Sequence, residues 1–138
     1  MRIISMDVGD RRIGMAVSDM LGWTAQGIAT LERRGLQHDL QQIKKIFDQY
    51  RPEKIVVGLP RNMNGTLGPQ GEKVKAFAEA LNNHFGLEIV YWDERLTTVS
   101  AHKAMIEADL SRKKRKQRVD QMAAVLILQS YLDYINKK

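Results

Sequence analysis

The sequence of 138 residues contains no cysteine. This absence excludes a disulfide framework, a thiolate nucleophile and a zinc site built on thiolates. Long hydrophobic runs are also missing, because even the run that contains residues 123–128 is far shorter than the roughly 18 to 20 residues that cross a bilayer. Asp7 interrupts the short apolar opening of the chain, so we expect no signal peptide. A cytoplasmic location without a membrane partner is the default expectation.

Several common catalytic motifs are missing as well. There is no Gly-x4-Gly-Lys-Ser/Thr phosphate loop, and no serine has an obvious histidine and acid to activate it. The three histidines, His38, His84 and His102, are scattered without the spacing of metal ligands. These absences direct attention to the charged residues.

The positive charge of the chain is concentrated in one segment. The net charge is +6, from 22 Lys and Arg against 16 Asp and Glu, and six basic residues lie within residues 112–118. Without those six, the remaining chain has as many basic as acidic residues. The segment predicts contact with a polyanion such as nucleic acid, although a solvated loop is the plain alternative. The basic residues proposed to bind substrate are Arg112, Lys113, Lys114, Arg115 and Lys116.

Hydrophobic periodicity predicts an α/β fold in which helices cover a mixed sheet. Strands are predicted at residues 2–8, 13–18, 26–31, 54–59 and 87–92. Helices are predicted around residues 40–47, from Pro69 onward, from 97 or 98 to about 108, and from about 119 to 135. A length of 138 residues fits one domain, residues 1–138. The large side chains expected in the core include Trp23, Tyr91, Trp92, Met105 and Met122.

Three acids lie next to apolar segments. Asp7 is near the end of the first strand, Glu94 follows the last strand, and Asp120 begins the last helix. Each has an ordinary explanation, as a turn residue, a charged strand end or a partner of the helix dipole. Together they suggest a shared site, because burying an unpaired carboxylate costs several kcal/mol and such groups often bind metals.

Helical spacing places Asp120 on a face that we expect to be buried. That face also carries Ala123, Ala124, Ile127 and Tyr131.

The choice between Asp93 and Glu94 stays open at this point. Adjacent residues of an extended chain point to opposite faces, so only one of the two acids can face the site. The other can pair with Arg95.

Converging carboxylates would suit divalent-metal chemistry. Two cations about 4 Å apart would bind a scissile phosphate, activate a water molecule and stabilise the leaving oxygen. Mg²⁺ or Mn²⁺ suits an all-oxygen ligand set.

Four motifs are distributed along the chain: residues 6–16 (MDVGDRRIGMA), residues 57–60 (VGLP) with 64–66 (NGT), residues 92–98 (WDERLTT) and residues 120–124 (DQMAA). Together they resemble the YqgF/RuvX family, and the match covers essentially the whole chain. The resemblance implies an RNase H-like fold related to the resolvase RuvC, with a five-stranded mixed sheet flanked by helices. It also implies a bacterial cytoplasmic nuclease that processes the 5′ end of pre-16S ribosomal RNA.

The resemblance also implies roles for single residues. Asp7, Glu94 and Asp120 match the acidic catalytic and metal-binding triad of the family, and thus favour Glu94 over Asp93. Substrate-binding or site-shaping positions are Arg12, Asn64, Gly65 and Arg95.

The sequence leaves three alternative functions open. A Holliday junction resolvase would act on branched DNA and would need a dimer for paired cuts, whereas an RNA-trimming enzyme would not. We therefore expect a monomer or a weak homodimer, with RNA and DNA both open as substrates. A nucleic-acid-binding factor without turnover is a second alternative. An ATP-binding relative of the actin and sugar-kinase fold is a third, but those proteins use two such domains.

Overall fold

The computed structural model describes residues 2–97 and 112–137, and for residues 112–120 it describes only the helical path of the chain. The predicted helix at 97–108 lies almost entirely outside the described residues. The elements are β1 (Ile3–Val8), β2 (Arg12–Ser18), β3 (Ala25–Glu32), α1 (Leu36–Tyr50), β4 (Lys54–Leu59), α2 (Pro69–Phe85), β5 (Glu88–Asp93), a 3₁₀ turn (Glu94–Leu96) and α3 (Arg112–Asn136).

The five strands form one mixed sheet in the order β3-β2-β1-β4-β5. β1 is antiparallel to β2, and β2 to β3, whereas β1, β4 and β5 run parallel. This arrangement confirms the predicted five-stranded mixed sheet. Because parallel strands end at the same edge, the carboxyl ends of β1, β4 and β5 lie side by side.

Side chains alternate between the two faces of the central strand β1. Ile4, Met6 and Val8 join the core cluster that contains the buried residues of α1 and α2. Ile3 joins the second cluster, which contains the buried residues of α3. The Ser5 hydroxyl donates a hydrogen bond of 2.7 Å to the Ala124 carbonyl of α3. The odd-numbered residues of β1, including Asp7, therefore face α3.

Glycine and proline set the ends of α2. Pro69 occupies the first turn, as predicted, where its missing N–H removes no helical hydrogen bond. Gly86 ends the helix with a φ of 68°, a conformation that residues with a Cβ rarely adopt. This ending lets the chain enter β5 directly.

The start of α3 differs from the prediction. The helix begins at Arg112, seven residues before the predicted start at 119, so the basic segment is the N-terminal part of the helix and not a loop before it. Lysine, arginine and glutamine are good helix formers, and this preference outweighs their unfavourable position relative to the helix dipole. None of the described helices is long and apolar enough to span a membrane.

Two of the side chains expected in the core are exposed, and a third, Met105, lies outside the described residues. Trp23 lies in the turn between β2 and β3 with 58% of its surface exposed, and Met122 is 39% exposed on the outer side of α3. Both predictions were wrong, because apolar character alone does not tell which side of a turn or helix faces inward. Trp92 packs edge-on against Tyr131 at a centroid distance of 5.6 Å, and Tyr91 is partly buried.

Candidate active site

Asp7 lies at the carboxyl end of β1 in the centre of the sheet. It pairs with Gly14 of β2 and is only 9% exposed. The alternation of β1 directs its side chain to the α3 face. A carboxylate therefore lies at the edge of the sheet where three parallel strands end.

Glu94 reaches the same face from the far side of β4. It begins the 3₁₀ turn that follows β5. Its Oε1 lies 3.2 Å from the point where a Cβ on Gly58 would be, and the side chain of Ile127 in α3 also occupies that space. Gly58 follows Val57, which pairs with Met6, so it lies beside Asp7 in the sheet. The missing side chain at Gly58 makes room for the Glu94 carboxylate between β5 and β1.

Asp93 has a different environment. Its carboxylate accepts hydrogen bonds from Arg95 Nη2 at 2.7 Å and from Arg95 Nε at 3.0 Å. Arg61 Nε lies 4.0 Å away. The hydrogen bonds from the Arg95 side chain hold the pKa of Asp93 below its usual value. Asp93 is thus the acid that pairs with Arg95, while Glu94 lies on the α3 face.

The loop after β4 is organised by Asn64 and Gly65. Asn64 Oδ1 accepts hydrogen bonds from the backbone N–H of Thr66 at 3.1 Å and from its hydroxyl at 2.7 Å. Gly65 has a φ of 87°, which favours glycine, and its N–H donates to the Asn62 carbonyl at 2.9 Å. These contacts give both residues a role in shaping the loop.

Arg95 joins this loop to the segment that carries Glu94. Besides Asp93, its guanidinium reaches the carbonyls of Asn62 at 3.4 Å and Met63 at 3.2 Å. Its side chain is 42% exposed. The sequence suggested a substrate-binding role for Arg95, and the structure adds an internal role at the rim of the site.

Arg12 begins β2, across the hairpin from Asp7. Its carbonyl accepts a 2.9 Å hydrogen bond from Gly9 N–H, which closes the turn after β1. Its side chain is half-buried. In the same turn, the exposed Asp10 lies 3.6 Å from Lys73 of α2.

Asp120 lies in α3, one helical turn before Ala124. Its side chain, and those of residues 112–116, lie outside the described part of the structure. The four residues expected to share its face, Ala123, Ala124, Ile127 and Tyr131, are all buried. Within the described residues no three acidic or histidine side chains form a metal-binding group. The convergence of Asp120 with Asp7 and Glu94 therefore stays a prediction.

Sequence reasoning did not identify Asp39 and Arg33. Asp39 of α1 is fully buried and lies 3.2 Å from Arg33. The available signal was the position of Asp39 next to Leu40 and four residues before Ile43, which places it at the edge of the apolar stripe. A charged residue there indicates a buried partner.

Comparison with known proteins now identifies the family. The family model of RuvX, described as a Holliday junction resolvase, matches residues 1–134. The chain belongs to the RuvX family. A protein of Clostridium tetani named "Putative pre-16S rRNA nuclease" is 59% identical over 138 residues, which cover all of both chains. A Clostridium kluyveri protein of the same name is 58% identical over 137 residues, 99% of this chain and 100% of that one.

Solved structures show the same fold at much lower identity. RuvC of Thermus thermophilus, in complex with a Holliday junction substrate, is 12% identical with a TM-score of 0.63, covering 99% of this chain and 97% of that one. The fowlpox virus Holliday junction resolvase is 15% identical with a TM-score of 0.56, covering 98% and 99%. This RuvX chain therefore has the RNase H-like fold of the RuvC-like resolvases.

Proposed function

We propose that this RuvX protein is a divalent-metal-dependent nuclease that cleaves phosphodiester bonds in nucleic acid, with pre-16S ribosomal RNA as its substrate. The observation that carries the proposal is the placement of Asp7 and Glu94. Both lie at the carboxyl edge of the sheet on the face covered by α3, with only the glycine position of β4 between them. The helical register adds Asp120 as the third acid.

The residues present fit a hard divalent cation. Carboxylate oxygens are the ligands that Mg²⁺ and Mn²⁺ prefer, and Gly58 leaves the space that one of the carboxylates uses. Asp7, Glu94 and Asp120 would hold the metal. When bound, Mg²⁺ or Mn²⁺ would activate a water nucleophile and neutralise charge on the phosphate.

The other residues of the site orient the substrate. The Asn62–Thr66 loop, fixed by Arg95, forms one wall next to Glu94. Arg12 lies across the hairpin from Asp7, and the basic segment of α3 at residues 112–116 is close in sequence to Asp120. We assign Arg12 and the basic segment to contacts with the phosphate backbone, because such contacts position a nucleic acid without reading its sequence.

The choice of RNA is supported by relatives such as the Clostridium tetani protein named "Putative pre-16S rRNA nuclease", which is 59% identical over the full chain. A nuclease for this substrate would act in the cytoplasm, as a monomer or weak homodimer. Branched DNA is the second candidate, because the family description and the RuvC complex both concern Holliday junctions.

Cleavage assays on the two substrates test the proposal. A 5′-labelled pre-16S rRNA fragment and a four-way DNA junction are each incubated with Mg²⁺, with Mn²⁺ or with EDTA. We expect cleavage of the RNA with either metal and none with EDTA. Asp7→Asn and Glu94→Gln are expected to abolish cleavage while folding and RNA binding persist.

Asp48→Asn serves as the matched control, because Asp48 is an exposed acid of α1 whose ion-pair partner, Lys44, is not a residue of the site. It should cleave as the wild type does. If only the four-way junction is cleaved in a metal-dependent way, the substrate is branched DNA and not RNA. RNA binding without cleavage, unaffected by Asp7→Asn and lost when residues 112–116 are neutralised, would favour a binding factor without turnover.

A further inference from the structure

We propose that Arg33 and Asp39 form a positioning pair that fixes the turn after β1 and thereby sets the direction of Asp7. Neither residue belongs to the motifs that identify the site. The inference rests on the proposed function, since it assigns the pair a role in presenting Asp7 to a divalent cation.

Asp39 is a fully buried carboxylate in the first turn of α1. Its Oδ2 accepts a hydrogen bond from Arg33 Nε at 3.2 Å, and its Oδ1 accepts one from the backbone N–H of Arg34 at 3.0 Å. His38 Nδ1 lies 3.5 Å from the same Oδ1. Buried charge is tolerated only with such partners, so Asp39 holds the Arg33 side chain in one orientation.

From this fixed orientation, Arg33 contacts the turn between β1 and β2. Its Nη1 donates a 2.9 Å hydrogen bond to the carbonyl of Gly9, and its backbone N–H donates to the carbonyl of Arg11 at 2.8 Å. The guanidinium carbon lies 4.7 Å from the centre of the Phe77 ring in α2. One side chain thus connects α1, α2 and the turn.

The turn in question begins two residues after Asp7. Gly9 N–H bonds to the carbonyl of Arg12 at 2.9 Å, and a Cβ on Gly9 would approach that oxygen to 3.0 Å. Gly9 is therefore tightly placed between Arg12 and Arg33. Phe77 belongs to the core cluster beneath α1 and α2, so Arg33 holds the end of β1 from the face opposite α3. Asp7 then points to the α3 face from a backbone that is fixed on its other side.

The geometry depends on the shape of arginine and not only on its charge. The guanidinium uses Nε for Asp39 and Nη1 for Gly9 at the same time. A lysine can keep the ion pair with Asp39, but a single ammonium group cannot reproduce this fork. Arg33→Lys therefore separates the contact with the turn from the buried ion pair.

The test compares Arg33→Lys with Asp48→Asn. The second substitution removes an exposed ion pair with Lys44 on α1, the helix that also carries Asp39. Three kinds of measurement are made on each variant: the kinetics of RNA cleavage (kcat and KM), the Mn²⁺ concentration at half-maximal rate, and amide hydrogen exchange at Gly9 and Val56. We expect Arg33→Lys to lower kcat or raise the Mn²⁺ requirement by about 10- to 100-fold with little change in KM. Exchange should accelerate at Gly9 and stay unchanged at Val56.

The inference would be overturned if Arg33→Lys had the same kcat, the same Mn²⁺ requirement and the same Gly9 exchange rate as the wild type. Equal acceleration of exchange at Val56 would also overturn it, because the pair would then stabilise the whole sheet and not the turn. If the wild type itself cleaves nothing, the proposed function fails. In that case calorimetric titration with Mn²⁺ decides the role of the pair, which is supported by weaker binding in Arg33→Lys and contradicted by equal binding.

Discussion

Asp39 shows how strongly a single buried charge can bind neighbouring segments together. Its side chain is 1% exposed, and its partners include Arg33 and the backbone of Arg34. Replacing it with alanine would leave Arg33 without its carboxylate in a largely buried position. The same substitution at Asp48, whose side chain is 64% exposed, removes only a surface pair.

We therefore expect Asp39→Ala to lower the free energy of unfolding by about 3 to 5 kcal/mol. Asp48→Ala should lower it by less than about 0.5 kcal/mol. Urea unfolding at pH 7 measures both. Similar values for the two variants would mean that Asp39 is more solvated than the structure shows.

Gly58 is the residue that makes room for Glu94. A Cβ there would lie 3.2 Å from Glu94 Oε1 and would collide with the Ile127 side chain. Gly58→Ala should cost about 1 to 3 kcal/mol of stability through overpacking. Metal-dependent cleavage should fall as well, because Glu94 must move.

A double variant separates these two effects. Ile127→Val removes the terminal methyl group that the new Cβ would meet, so Gly58→Ala/Ile127→Val should be relieved of most of the collision. Cleavage should stay low, since the contact with Glu94 persists. Recovery of both stability and cleavage in the double variant would contradict the role given to Gly58.

At the scale of elements, the loop after β4 and the turn after β5 act as one unit joined by Arg95. Its guanidinium is engaged by Asp93 and by the carbonyls of Asn62 and Met63. An arginine used in this way shapes the wall of the site, and a direct bond to a substrate phosphate is not required of it.

Salt dependence of RNA binding distinguishes the two roles of Arg95. For Arg95→Gln we expect weaker RNA binding with an unchanged slope of log K against log salt. Lys114→Gln, in the basic segment, should instead reduce the magnitude of the slope by about 0.7, as for one lost contact to a single strand. A comparable reduction in Arg95→Gln would show that Arg95 contacts phosphate directly. Fluorescence anisotropy at several salt concentrations provides the measurement.

The turn between β2 and β3 lies at the other end of the sheet and supplies a pH-dependent contribution. Asp19 accepts hydrogen bonds from the backbone N–H of Trp23 at 2.8 Å and from the Thr24 hydroxyl at 3.0 Å. The bond from Trp23 is the main cause that holds the pKa of Asp19 below its usual value of 3.8.

Because the folded pKa is depressed, the stabilisation from Asp19 is fully present above pH 3.8 and is lost as the pH falls through the lower folded value. Wild type should therefore be more stable than Asp19→Asn at pH 6, and the difference should shrink below about pH 4. Urea unfolding across this range checks the sign. A difference that grows on acidification would contradict it, and cleavage at pH 7 should be alike in both proteins.

Regular periodicity explains which elements the sequence predicts well. β4 is a run of mostly buried residues, and its apolar sequence predicted a strand at residues 54–59. The start of α3 was missed because its first residues are almost all cationic and carry no apolar stripe. Such a segment becomes helical through its own propensity and its continuity with the packed part at residues 123–132.

At the scale of the whole molecule, the site depends on strand order, which local sequence does not encode. Asp7 and Glu94 are 87 positions apart and become neighbours only because β4 lies between β1 and β5. Strand alternation left Asp93 and Glu94 equivalent, the family resemblance favoured Glu94, and the structure pairs Asp93 with Arg95. The motifs predict the triad of Asp7, Glu94 and Asp120, whereas the pairing of Asp39 with Arg33 is seen only in the structure.

The central claim is that Asp7, Glu94 and Asp120 share one divalent-cation site. Calorimetric titration with Mn²⁺ of the wild type, Asp7→Asn, Glu94→Gln and Asp120→Asn tests it most directly, with Asp48→Asn as the control. We predict that each of the three variants weakens Mn²⁺ binding by about 10-fold or more. We also predict that Asp7→Asn combined with Asp120→Asn is non-additive, as for residues of one site. Wild-type Mn²⁺ affinity in any of the three single variants, or strict additivity in the double variant, would contradict the shared site.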